Sequence, residues 1–308
     1  GSGRAAVGGG ASRALACWGA NFYRQLGVAT FPATGDPTPS PNVNGVSTVG
    51  AGDLHTCVVV TGGEVRCWGY NNYGQLGNGS TSSTTTPVVF NAGGPASSVG
   101  AGYHFTCARL SIGEVACAGL NPGGRLGRTG SSSSTPTIIQ LPPDPDAGAD
   151  AGDDGGADAA TPPAFGASKI AVGRYHSCAL RGGGVVSCWG SNSDGRCGVS
   201  GHPLPVPGDV PLPQPAIDVA AGEAHSCAVL QDGSVRCWGS SGSGRLGEGG
   251  ASGPALRTPN LGGKSAKAVA AGDAHSCALA TDGTVLCWGA GLQGELGNGA
   301  RMDSTDAV

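Results

Sequence analysis

Charge is scarce in this chain of 308 residues: 12% are charged, only Lys169, Lys264 and Lys267 are lysines, and the arginines stand singly. The net charge is -4 and no basic stripe is present, so the electrostatic footprint that nucleic-acid binding needs is missing, and DNA or RNA is disfavoured as a partner. Long apolar runs are lacking too. No stretch reaches the roughly 18 apolar residues of a membrane span, and the first residues show neither a charged n-region nor an apolar h-region. A signal removed ahead of Gly1 stays compatible with that. Little reads as a long amphipathic helix. What the chain does have is 59 glycines and 21 prolines, the composition of many short strands joined by turns, and an all-β fold is expected.

The glycines are not scattered. Six cores end in Cys-Trp-Gly or a close relative, at Cys17, Cys67, Cys117, Cys188, Cys237 and Cys287, with Ala118 in place of tryptophan in the third. Their spacings are 50, 50, 71, 49 and 50 residues. The long interval holds Pro142 to Pro163, rich in Asp, Ala and Gly; removing it restores a spacing near 49. Ahead of each core the sequence reads as a hairpin, as in Ser226 to Leu230, the turn Gln231-Asp232-Gly233, and Ser234 to Trp238. Asp-Gly between alternating apolar runs is a hairpin signal because the turn needs positive φ. A Gly-rich loop follows, such as Asn71 to Gly79, then a polar stretch and a short apolar run such as Pro87-Val88-Val89-Phe90. About four strands per 50 residues is the size of one propeller blade.

The paired signatures Gly-x-x-His-Ser/Thr-Cys-Ala-Leu…Asp-Gly-x-Val-x-Cys-Trp-Gly and Gly-Gln/Arg-Leu-Gly-x-Gly closely resemble the repeats of the regulator of chromosome condensation, a β-propeller family. The resemblance covers the chain outside Pro142 to Pro163. It implies a single β-propeller domain over residues 1–308, with 142–163 as an acidic insert between the third and fourth repeats. Members of that family have seven blades as a rule. Here Gly1 matches Ala51 and Val308 matches Val88, which leaves the chain about a dozen residues short of six repeats. Six four-stranded blades are therefore expected, with seven as the alternative, and the incomplete blade is expected to be closed by the two termini, which protects its edges.

Five repeats place two cysteines ten residues apart across the hairpin turn: Cys57 and Cys67, Cys107 and Cys117, Cys178 and Cys188, Cys227 and Cys237, Cys277 and Cys287. With the turn at the midpoint, the members of each pair stand opposite one another on adjacent antiparallel strands, within disulfide reach. The alternative is that Cys serves as a small buried hydrophobe. The joint presence of both members in five units, and 12 cysteines in all, favour disulfides and an oxidising compartment: extracellular, periplasmic or cell-surface. Two cysteines are left over. Cys17 is expected opposite Val7, and Cys197 replaces the leucine of the Gly-x-Leu-Gly loop. Both suit buried thiols. A sharper reading makes Cys197 and His202 a reactive thiol-imidazole pair, the thin basis for an enzyme, a hydrolase or lyase with its site on one propeller face.

Other recurring residues read as scaffold. His55, His176, His225 and His275 hold one repeat position, with His104 shifted by one and Phe105 in the usual place; such a residue fastens a turn, because zinc needs three or four convergent ligands and no repeat supplies them. Trp18, Trp68, Trp189, Trp238 and Trp288 are expected to pack between blades, with a ligand groove as the alternative. Asp144, Asp146, Asp150, Asp153, Asp154 and Asp158 do not match a calcium loop, and a disordered acidic excursion is expected. The Gly-rich loops lack the lysine and helix of a phosphate cradle. No cofactor or metal is implied.

Departures from the repeat remain to be explained by binding. Phe22, Tyr23 and Arg24 stand on the first loop, with Arg24 where later copies have Gly; Tyr70, Tyr73, Tyr103 and Tyr175 add aromatic candidates. Aromatics and Arg on loops are the composition of interface hot spots, although local capping of each blade accounts for them equally. The family resemblance implies unrelated partners for one fold, among them a small nuclear GTPase and a β-lactamase bound by a secreted propeller. The cysteine pairs and the missing basic patch argue against the nuclear role. A monomeric, exported, disulfide-braced module that binds a protein or cell-surface partner, inhibitor-like or adhesin-like, is the expected function.

Overall fold

The structure, a computed structural model, describes residues 3–7, 15–29, 33–39, 43–143 and 166–308. The carboxylates from Asp144 to Asp158, and with them the expected disordered insert, lie outside the described residues. Two compact units make up the chain, Gly1–Gln140 and Leu141–Val308, so the unit boundary in sequence falls beside the start of the insert.

In the first unit, β1 (Gly3–Val7), β2 (Leu15–Ala20) and β3 (Ala33–Pro39) form a three-stranded antiparallel sheet. β4 (Val46–Ala51), β5 (His55–Val60), β6 (Val65–Gly69) and β7 (Thr84–Val89) form a four-stranded meander. β8 (Ala96–Ala101), β9 (Phe105–Leu110), β10 (Val115–Gly119) and β11 (Ser133–Ile138) repeat it. In the second unit β12 (Ala167–Val172), β13 (His176–Arg181), β14 (Val186–Gly190) and β15 (Leu204–Asp209) make one meander, and β16 (Ala216–Ala221), β17 (His225–Leu230), β18 (Val235–Gly239) and β19 (Gly253–Arg257) make the next. β20 (Ala266–Ala271), β21 (His275–Ala280) and β22 (Val285–Gly289) make the last. Six sheets thus occur among the described residues, one for each Cys-Trp-Gly core.

Two of these sheets have three strands: the first begins at the strand equivalent to β5, and the last ends at the strand equivalent to β6. The sequence predicts that both termini share one sheet, but the carboxy-terminal residues pair instead with β22 of their own repeat. Ser304 bridges Gly289, and Val308 exchanges both backbone hydrogen bonds with Cys287 at 2.9 Å. A second local difference concerns Cys17. Ala5, not Val7, stands opposite it, because the connection between β1 and β2 is two residues longer than in the other hairpins.

Each sheet is built on the same local logic. The hairpin between β17 and β18 closes with Gly233 at φ +81°, where the Gly233 N–H donates to the Leu230 carbonyl at 2.9 Å. The glycine of Cys-Trp-Gly has a different reason to be invariant in the repeat. Gly69 sits at φ +108°, and a Cβ there would lie 2.8 Å from the His55 Cα, so neither the backbone angle nor the space admits a side chain. The second strand of the meander is buried on both faces, as β5 and β17 show, because a sheet packs on either side of it. Cys57 and Val59 join a core shared with β8 to β10, whereas Val58 faces Leu15, Cys17 and Leu26 of the first sheet. The same alternation gives two cores in the second unit, one containing Cys188, Cys197 and Trp238, the other Cys237, Leu246 and Trp288.

Candidate functional site

The recurring polar residues lie inside, and they bolt each repeat to the next. The Ser226 hydroxyl donates to the Arg196 carbonyl at 3.0 Å, which leaves its lone pairs to accept the His176 Nε2–H at 2.7 Å. The Trp238 indole N–H donates to that same Arg196 carbonyl at 2.9 Å. One repeat on, Ser276 donates to the Arg245 carbonyl at 3.0 Å and accepts from His225 at 2.9 Å, while Trp288 donates to Arg245 at 3.0 Å. In the first unit Thr106 plays the serine's part between His55 (2.7 Å) and the Gln75 carbonyl (2.8 Å). Histidine thus fastens the following repeat rather than its own turn.

These imidazoles are held neutral. Burial above all, with His104 adding to it, pushes His55 down to about 3. Burial, then the Arg245 guanidinium, does the same to His225, also about 3, and His176 is likewise well below its usual range through burial and Arg196. With Nε2–H donated to a hydroxyl, the Nδ1 atoms of His55, His176 and His225 are buried and have no hydrogen-bond partner among the described residues. Among the described residues no group of three His, Cys, Asp or Glu is placed to hold a metal.

The departures from the repeat behave differently. Tyr23, Tyr70, Tyr73, Tyr103 and His104 come together at one end of the first three sheets. The Tyr70 ring stands 5.0 Å from Tyr23 at 71°, 6.2 Å from Tyr73 at 62°, and 5.4 Å from His104. His104 in turn contacts Tyr73 at 4.7 Å and Tyr103 at 3.8 Å. Phe22, Tyr23 and Tyr73 are 58%, 45% and 39% exposed. The one-place shift of His104 now has an explanation. Phe105 fills the buried site that histidine occupies elsewhere, which releases the imidazole to sit among the tyrosines.

The loops that carry these rings are pre-set by their own amides. Asn71 Oδ1 accepts the Leu76 N–H at 2.9 Å, and Gln75 Oε1 accepts the Tyr73 N–H at 3.1 Å. Asn21 and Gln25 repeat the arrangement for Leu26 and Tyr23, both at 3.0 Å. Leu26 and Leu76 plunge into the core and anchor the loops from below. Burial, then the phenols of Tyr73 and Tyr23, raises the Tyr70 phenol above its ordinary range, so the ring stays uncharged. Arg24 occupies the glycine position at φ +66°. A left-handed backbone costs a non-glycine residue about 1 kcal/mol, so Arg24→Gly is expected to raise unfolding stability by about that amount, read as a small increase in the denaturant midpoint.

The comparisons with known proteins agree with this architecture. The sequence matches the family described as RCC1-like domain over residues 13–308. The chain belongs to the RCC1-like domain family. Human WBSCR16 superposes with a TM-score of 0.83 at 21% identity, covering 100% of this chain and 79% of that one. Yeast RCC1 (Prp20), solved bound to Kap60, gives 0.79 at 22% identity over 99% and 72% of the two chains. A further structure of Prp20p from Saccharomyces cerevisiae, whose description includes binding to Gsp1p and histones, gives 0.57 at 22% identity over 95% and 84%. No curated protein matches the sequence. The fold is therefore a β-propeller, and its sheets are blades.

The cysteines of this RCC1-like domain fall as the hairpin spacing predicts. Disulfides join Cys57 to Cys67, Cys107 to Cys117, Cys178 to Cys188, Cys227 to Cys237 and Cys277 to Cys287, each pair directly opposed in register. Cys17 and Cys197 are free and buried. Burial pushes the Cys17 thiol up to about 11 and the Cys197 thiol up to about 12, the opposite of what a nucleophile needs. Cys197 and His202 have separate partners. The thiol faces the Ser191 carbonyl from inside the core, while the exposed His202 accepts the Asn192 N–H through Nδ1 at 3.3 Å. That is the place of Ser83 and Ser132, whose hydroxyls accept from Asn71 and Asn121 at 3.0 and 3.1 Å.

Tyr175 belongs to the second unit and has its own cations. Arg174 lies 5.3 Å and Arg196 5.7 Å from its ring centroid. Arg174 also pairs with Glu223, and Arg196 with Asp194. Missed from sequence is a buried network around Arg181, which stands where Val60, Leu110, Leu230 and Ala280 stand in other blades. Its guanidinium donates to Ser187 Oγ at 2.7 Å, to Asp209 Oδ1 at 2.8 Å, and to the Pro142 carbonyl at 2.7 Å. The paired change of Arg181 and Asp209 against apolar equivalents was the signal available. Lys169 and Asp218 make a second such pair, and Asp218 Oδ2 accepts the Val269 N–H at 2.9 Å, linking three successive blades.

Proposed function

We propose that this RCC1-like domain is an exported, disulfide-braced recognition module, and that it binds a protein or cell-surface partner through the aromatic end of its first three blades. Inhibitor-like or adhesin-like action fits such a module. The convergence of Tyr23, Tyr70, Tyr73 and Tyr103 at one end of successive blades, with exposed Phe22 next to Tyr23 in the chain, carries this reading. Repeat packing does not require these rings, since the other blades have no aromatic residue at the equivalent loop positions, as at Leu120, Ser191, Ser240 and Ala290 for Tyr70. Tyrosines on loops held rigid by their own amides present large contact area at little entropic cost. Export rests on the five disulfides, which persist only in an oxidising compartment.

Two measurements test the two halves. Immobilised wild-type domain is expected to retain a partner from the extracellular and envelope fraction that the Tyr23→Ala/Tyr73→Ala double variant, altered only at exposed rings, does not. Equal retention by both would remove the aromatic end from the reading. Mass spectrometry of the unreduced protein from its native source is expected to find the five linked peptides, and free thiols at those ten cysteines would overturn export.

A further inference from the structure

We infer that the rings of Tyr23, Tyr70 and Tyr73 receive a cationic side chain, arginine or lysine, presented by the protein partner. The inference rests on the aromatic end being the recognition surface and names what that surface recognises. Tyr70 meets Tyr23 at 71° and Tyr73 at 62°, with centroids 5.0 and 6.2 Å apart, so the faces form walls at steep angles rather than one flat platform. A sugar ring stacks on a flat face; a compact cation suits walls, because each face that a neighbour's edge leaves uncovered presents the negative side of its quadrupole within the roughly 6 Å over which a cation is attracted.

The second blade unit supplies a precedent inside the same chain. Tyr175 stands one place before the repeat histidine, where the third blade has His104, and its ring is met by Arg174 and Arg196 at 5.3 and 5.7 Å. That ring's demand for a cation is met internally. No Lys or Arg of the chain lies over Tyr23, Tyr70 or Tyr73 among the described residues; the His104 imidazole packs beside Tyr70 and Tyr73. The net charge of -4 favours the approach of a basic partner.

The chain has five tyrosines, which makes the test direct. In protein carrying 13C-labelled tyrosine, ring resonances are followed during titration with tetramethylammonium chloride or acetyl-arginine-amide, and in parallel with neopentyl alcohol and glucose, at ionic strength held constant with sodium chloride. Both cations are expected to shift Tyr23, Tyr70 and Tyr73 saturably and to leave Tyr175 in place. Tyr23→Ala or Tyr73→Ala is expected to weaken the apparent affinity about two- to five-fold per ring. Equal shifts with neopentyl alcohol or glucose would overturn the cation preference while leaving the surface as a docking site. No saturable shift with either cation would overturn the inference as well. The capture experiment with the double variant decides the underlying reading separately, so the two failures are told apart.

Discussion

Full reduction of the five hairpin disulfides is expected to unfold the domain at 37 °C. Each bridge joins cysteines ten residues apart, and closing so short a loop is worth about 2 to 3 kcal/mol through the entropy of the unfolded chain. The bridges lie in separate hairpins, so their contributions approximately add, and together they reach about 10 kcal/mol or more. A domain's whole stability is about 5 to 15 kcal/mol. Loss of the set therefore removes most or all of it. The rate carries a second expectation. Eight of these ten cysteines are at 0% exposure and Cys287 at 7%, while Cys277 is half-buried, so reductant reaches four of the bridges only when a blade opens and Cys277–Cys287 is the first to yield. Thiol release from those four under reductant should track unfolding and speed up sharply in mild denaturant. A chain with all ten positions changed to Ala that kept its melting temperature within a few degrees would refute the bracing role.

The hairpin pairs were legible because they depend only on local counting: ten residues with the turn at the midpoint put Cys57 opposite Cys67, and the register agrees. Contacts that run between repeats were not. The sequence places His176 as the fastener of its own turn, but its partner, Ser226, is 50 residues away and becomes visible only when successive blades are stacked. The same holds for Tyr23 and Tyr70. Each stood out as a break in the pattern, yet nothing within one repeat says that the loop of one blade lies against the loop of the next. Cys17 failed the local count because its connection is longer, which moved Ala5 into the place of Val7. Arg181 went unread because its charge is answered across the sheet by Asp209 on another strand. For Cys197 and His202 nearness in sequence left two readings open, a buried thiol and a reactive pair; the thiol lies in the core facing the Ser191 carbonyl, and exposed His202 accepts the Asn192 N–H.

Acid is expected to be the second strong destabiliser, acting through the bolts between blades. His55, His176 and His225 have folded pKa values below the unfolded value of about 6.5, with His55 and His225 near about 3. The folded state holds them neutral, whereas the unfolded chain takes up a proton at each once the pH drops below about 6.5. Their contribution is fully present above that pH and is lost progressively as pH falls towards about 3. The slope is about 1.4 kcal/mol per pH unit per histidine, so at pH 5 each costs about 2 kcal/mol and the three together about 6. The structural reason is specific: Nε2–H is already given to a hydroxyl, and a second proton would go onto a buried Nδ1 that has no acceptor among the described residues. Denaturant titrations at pH 7, 6 and 5 should show the midpoint falling steeply below pH 6.5. A single His225→Gln variant, although less stable at pH 7, should lose about one third of that slope. A flat profile between pH 7 and 5 in the wild type would mean that the three imidazoles are not held neutral by their burial.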